Sequence, residues 1–102
     1  MSKHNKPPKT VDEAVDLLIE ELSFGDRSII ANMKEADLGI LNFAIGIRVK
    51  DEFELEKGNN LLLQSCLSQL GKPSIDTDLA LAFIIKRLWE TVQHTPVLKI
   101  VK

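Results

Sequence analysis

The chain has no tyrosine, one tryptophan and one cysteine among its 102 residues. A lone cysteine excludes an internal disulfide and any multi-cysteine zinc site. Long apolar runs are missing too. Nothing approaches the roughly 18 consecutive apolar residues of a membrane-spanning helix. The opening MSKHNKPPKT lacks the apolar stretch of a secretory signal. There is no basic excess: 13 Lys and Arg stand against 15 Asp and Glu, a formal net charge of −2. That balance disfavours nucleic-acid binding, whose electrostatic footprint is basic. The five glycines and four prolines are scattered, and no internal repeat or low-complexity tract is present. What remains is the expectation of one cytoplasmic domain with a single core, away from membranes.

Apolar residues at helical spacing predict an all-α fold, a compact bundle of four to five helices. Residues 10–94 form the helical domain. A flexible N-terminal tail, 1–9, precedes it, and a short C-terminal tail, 95–102, follows. Thr10 and Glu13 fit a capping box that opens a helix to about Leu22, with Val11, Val15, Leu18 and Leu22 as its buried stripe. Ser23 caps a short second helix to about Asn32. The stretch 54–60, ELEKGNN, reads as a charged loop in which Gly58 adopts positive φ and Asn59 or Asn60 caps the next helix. That fourth helix spans Leu61–Leu70 and stops at Gly71-Lys72-Pro73. Asp76 caps the last helix, 77–93, which faces the core through Leu81, Ile84, Ile85, Leu88 and Val92. Its Trp89 N–H is expected to reach a carbonyl or water. The β-branched tail Val97–Lys102 either lies back over the last helix or pairs with another chain.

The third helix, Leu38–Phe53, is the stretch the rest of the chain frames. On an ideal helix, at about 100° per residue, Leu38, Leu41, Ile45, Val49 and Phe53 form one broad apolar face. Ile40, Phe43, Ala44 and Ile47 extend it around the other side. Asp37, Arg48, Asp51 and Glu52 keep only a narrow solvent sector. A helix so poor in polar surface is expected to be buried among its neighbours. Asn42, Gly46 and Lys50 make an i,i+4,i+8 row on the apolar side. A mid-helix glycine costs about 1 kcal/mol relative to alanine, so a local gain should offset it. The plainer gain is close approach of another helix, with Lys50 extending its amine to water. The sharper one is a small cleft over Gly46, with an amide and an ammonium at its rim, suited to a ligand or a reaction.

The run LNFAIGIRVKDEFELEKGN resembles the signature of an uncharacterised family of small, mostly bacterial helical proteins, a domain of unknown function. Leu41, Phe43, Gly46, Phe53, Leu55, Gly58 and Asn59 follow its L-x-F-x-x-G…F-x-L-x-x-G-N pattern. VDEAVDLLIEEL and IIKRLWETV are similar flanking pieces, so the likeness spans most of residues 10–93. Asn42, Lys50, Asp51 and Glu56 stand where the family has His, Arg, Asn and Trp. The apolar frame is kept and the polar positions are changed. The resemblance therefore implies a fold rather than an activity.

The remaining candidates are few. Leu79 and Phe83, one turn apart, fall beside Arg87 among the charges of the last helix, an apolar pair either covered or offered to a partner. Cys66 sits in an apolar group and reads as a small buried hydrophobe rather than a nucleophile. His94 reads as a helix-terminal group and His4 as solvated. Asp12, Glu13, Asp16 and Glu20 make a solvated acidic face. No metal-ligand cluster, Ser-His-Asp set or nucleotide loop is present, so no cofactor, metal or catalytic residue is expected. The leading expectation is a non-enzymatic interaction module, self-association included, using Leu79, Phe83 and Arg87. The alternative is a ligand or enzymatic site at Asn42, Gly46 and Lys50. DNA binding by a helix-turn-helix ranks last, because its recognition helix would be the apolar third helix.

Overall fold

Capping chemistry decides where the helices begin. The computed structural model describes residues 7–72 and 74–94. Its five α-helices are α1 (Val11–Glu21), α2 (Phe24–Ala31), α3 (Leu38–Glu52), α4 (Asn60–Leu70) and α5 (Thr77–His94). Thr10 Oγ1 accepts from the Glu13 N–H at 3.1 Å, and Ser23 Oγ from Asp26 at 3.0 Å. Asn59 Oδ1 accepts from Leu62 at 3.2 Å, and Asp76 Oδ1 from Leu79 at 2.7 Å. Each cap satisfies a backbone donor that has no intrahelical partner. Only half of the expected box at Thr10 is reciprocal in the anticipated way: the Glu13 carboxylate accepts from the Lys9 N–H, at 3.0 Å, one residue before the cap. α4 closes on Gly71 in the left-handed region, at φ 70°. Two short 3₁₀ turns, Glu35–Asp37 and Leu55–Lys57, flank α3.

α5 is the hub. It packs against α1, α2, α3 and α4 and buries Ala80, Leu81, Ile84, Ile85, Leu88 and Val92. α1 contributes Val11, Ala14, Val15 and Leu18 to the same core, α2 contributes Ile30, and α4 contributes Leu62 and Cys66. The all-α bundle read from periodicity is the fold, and the described residues contain no strand. No helix among them is long and apolar enough to cross a membrane.

Three expectations need correction. The first concerns α3, which is not enclosed. It packs on α5 and on the two 3₁₀ turns at its ends, and buries Leu41, Gly46 and Val49 only. A domain of this size has one core, and the single clean stripe of α5 occupies its centre. The second concerns the charged loop after α3, which holds Leu55 in the core at 1% exposure. Glu54 bends the chain there with a left-handed φ of 55°. The third concerns the N-terminal segment, which is fastened before residue 10. Pro8 is buried, and its carbonyl accepts from Asn59 Nδ2 at 3.0 Å. The same amide donates to the Phe53 carbonyl at 2.8 Å, so Asn59 ties three segments together. Residues 1–6 and the C-terminal tail 95–102 lie outside the described residues.

Candidate interaction surface

The outward side of α3 is assembled from what α5 leaves uncovered. α5 approaches α3 on the side of Gly46, where a Cβ would stand 3.0 Å from Leu81 Cδ2 and 2.8 Å from Asn42 Oδ1. With that side against the hub, Gly39, Ile40, Phe43, Ala44 and Ile47 turn outward. Ile40 is 65% exposed, Phe43 88% and Ile47 83%. Spacings of three and four place them on one strip of the helix. From Leu38 to Ile47 the chain carries no charged residue. Single exposed apolar residues are ordinary on protein surfaces, whereas a contiguous set marks a contact site.

α2 adds a wall to this strip. Between α2 and α3 lies a groove of about 240 Å³, with Ile29, Ile30 and Met33 on one side and Ile40, Ala44 and Ile45 on the other. Glu21, Asp26 and Arg48 supply its charged lining. Arg48 Nη2 stands 3.8 Å from Glu21 Oε1, and its Nε stands 4.0 Å from Glu52 Oε2. The other end adjoins the last turn of α5. There Trp89 Nε1 donates to the Met33 carbonyl at 2.9 Å. Gln93 Nε2 donates to the same carbonyl at 3.3 Å and also to Ala31. The indole N–H therefore finds the backbone acceptor expected for it.

The row Asn42, Gly46 and Lys50 is divided by its surroundings. Asn42 and Gly46 lie together against Leu81. Lys50 instead joins α3 to α5: its Nζ is 2.8 Å from Asp78 Oδ1 and 3.5 Å from Glu56 Oε2. The hydrogen bond to Asp78, followed by attraction to the Asp78 and Glu56 charges, raises the Lys50 pKa above 10.5, and partial desolvation opposes the rise. A recess of about 280 Å³ beside it is lined by Ile47, Lys50, Asp51, Glu56 and Lys57. Neither Asn42 nor Gly46 contributes to that lining. An ammonium held in its charged form by two carboxylates is a structural tie and a poor nucleophile or base.

On α5, Leu79 is 37% exposed, while Phe83 is partly buried against the core. Arg87 is partly buried as well, with Nη2 3.6 Å from Asp12 Oδ1, linking α5 to α1. Cys66 is fully buried, and burial pushes its thiol up to about 11, so at neutral pH it is a protonated apolar side chain. Among the described residues no group of three or more His, Cys, Asp and Glu is placed to hold a metal ion. Sequence reading missed the outer strip of α3 as a surface, although its signal was visible in the apolar residues on both sides of that helix.

The family model of a domain of unknown function, DUF6794, matches residues 7–92. The chain belongs to this family. No curated protein and no solved structure matches it. The DUF6794 match begins at Pro7, beside the buried Pro8 that Asn59 holds, and ends at Val92, the last buried residue of α5. It thus spans the whole packed bundle, including the α2–α3 groove and the outer strip of α3. Tails beyond the core fall outside it.

Proposed function

We propose that the protein is a non-enzymatic interaction module that pairs with a second copy of itself through the outer face of α3. One observation carries this reading: Phe43 and Ile47 stand 88% and 83% exposed on a helical strip with no charge from Leu38 to Ile47. A twofold contact brings the same patch from both copies together. An uncharged strip suffers no like-charge repulsion in that arrangement, and Gly39 and Ala44 leave room for two helix backbones to approach. Burying a side chain such as Phe or Ile stabilises by roughly 1.5–3 kcal/mol. Doubled across the axis, this is of the same order as the roughly 4–15 kcal/mol cost of association, so the pairing is reversible.

The test is sedimentation velocity over a wide concentration range, with Phe43→Asp and Leu79→Asp alongside wild type. Wild type is expected to approach twice the monomer mass as concentration rises. Phe43→Asp should stay monomeric, and Leu79→Asp should behave as wild type. A wild type that remains monomeric throughout overturns the reading. Loss of pairing with Leu79→Asp alone would move the interface to the Leu79, Phe83 and Arg87 face.

The alternative, a ligand or catalytic site around Asn42, Gly46 and Lys50, draws support from the recess beside Lys50. Against it stand the two carboxylates already engaged with that ammonium.

A further inference from the structure

We infer that each copy in the pair seats its Phe43 ring in the groove between α2 and α3 of the other copy, with the two α3 helices side by side and parallel. The inference rests on the pairing proposed above and specifies its geometry. Phe43 is 88% exposed and takes no part in lining the groove of its own chain. The groove holds about 240 Å³. That is under the roughly 300 Å³ at which clefts for drug-sized molecules begin, so it suits a side chain better than a free ligand. Its two walls are apolar, and Arg48 at its charged end is already engaged with Glu21 and Glu52. An uncharged ring is the occupant that such walls accept without stranding a polar group.

Helix geometry and symmetry select the parallel arrangement. At about 100° per residue, Phe43 stands about 50° to one side of the line through Ile40 and Ile47, and Ala44 about 50° to the other. Ala44 is a groove wall, so knob and groove occupy opposite flanks of the strip. A twofold axis running along the helices turns the Phe43 flank of one copy toward the Ala44 flank of its partner. It also keeps equal residues level, so Phe43 arrives opposite the partner's Ile40 and Ala44. An axis across the helices would set like flanks together, ring on ring, and leave both grooves open. Open apolar walls forgo the contacts that a seated ring supplies. The area points the same way. Ile40, Phe43 and Ile47 together expose on the order of 500 Å², when a free Phe presents roughly 200 Å² and an Ile slightly less. Two such strips bury about 1,000 Å², short of the roughly 1,200 Å² at which stable interfaces begin. Seating the ring adds Ile29, 60% exposed, and brings each copy to on the order of 600 Å², which meets that bound.

The test is isotope-filtered NMR on the full chain at a concentration where sedimentation shows the pair. One copy carries labelled isoleucine and methionine methyl groups in a deuterated background, and the other is unlabelled. Contacts between copies are expected from the Phe43 ring to the methyl groups of Ile29, Ile45 and Met33. Phe43→Leu in the unlabelled copy assigns the ring by removing those contacts. Ile29→Asp, which changes the far wall of the groove and leaves the α3 strip intact, should raise the dissociation constant more than tenfold in sedimentation. A pair whose contacts between copies are confined to Ile40 and Ile47, with none at Ile29, overturns the inference and leaves the pairing through α3 standing. A wild type that stays monomeric overturns both.

Discussion

α5 and α3 are the two longest helices of the bundle, and they use their apolar residues in opposite ways. α5 gathers them into one stripe, sets charges on the remaining arc, and takes the centre with six buried residues. α3 spreads them over two faces and buries three residues. A clean stripe tells a helix where to pack, and the core consumes it. Among the described residues nothing covers the second apolar face, which is carried at the surface through Ile40, Phe43 and Ile47. The buried stripe at the centre of the core and the exposed apolar strip are therefore on different helices, although composition alone makes α3 look like the core.

The contrast can be broken most forcefully at Leu88. This side chain is fully buried in α5, so Leu88→Ala should destabilise by about 2–5 kcal/mol in urea unfolding. Phe43→Ala, measured at concentrations low enough to keep the chain monomeric, should stay within about 0.5 kcal/mol of wild type. Equal losses at the two positions would mean that α3's outer face is covered after all. Next in size is Asn59→Ala, which removes the cap of α4 together with the bonds to Pro8 and Phe53. A loss of about 1–3 kcal/mol is expected, with faster amide exchange at the exit of α3.

Gly46 sharpens the comparison from the other side. Gly46→Leu must displace Leu81, and a cost of about 1–3 kcal/mol is expected in thermal unfolding. Gly46→Ala gains about 1 kcal/mol of helix propensity against the tight contacts at Asn42 and Leu81, so its net effect should be far smaller. The smallest effect belongs to Lys50. Its folded pKa is raised above 10.5, first by the Asp78 hydrogen bond. The stabilisation is then fully present below that pH and is lost as pH rises through the raised value. The stability gap between wild type and Lys50→Met should be flat from neutral pH to about 10.5 and shrink beyond it.

Much of the fold was legible because its determinants are local. Thr10, Ser23, Asn59 and Asp76 announce helix starts through hydroxyl, amide or carboxylate acceptors, and Gly71 announces a stop. The α5 stripe was legible because one face alone is apolar. The position of α3 was not, since two apolar faces compete and the winner depends on where α5 lies. The Gly46 spacing did indicate close approach of a neighbouring helix, and Leu81 is that neighbour. Lys50 was read as reaching for water, whereas it finds Asp78, 28 residues on, a pairing that no helical period encodes. Leu55 was hidden among acids and a lysine, in a turn too short to show periodicity. Asn59 showed its capping oxygen in sequence but not its nitrogen, because the acceptors at Pro8 and Phe53 are brought to it only by the finished bundle.

The bond between Trp89 and the Met33 carbonyl also has an optical consequence. With no tyrosine and a single tryptophan in the chain, long-wavelength ultraviolet emission comes from one indole at one address. That indole sits where the end of α5 meets the mouth of the groove. A change in its colour or brightness follows that joint alone, while the rest of the bundle stays dark. The native protein thus carries a built-in lamp beside its own groove, and no label is needed to see that joint loosen or tighten.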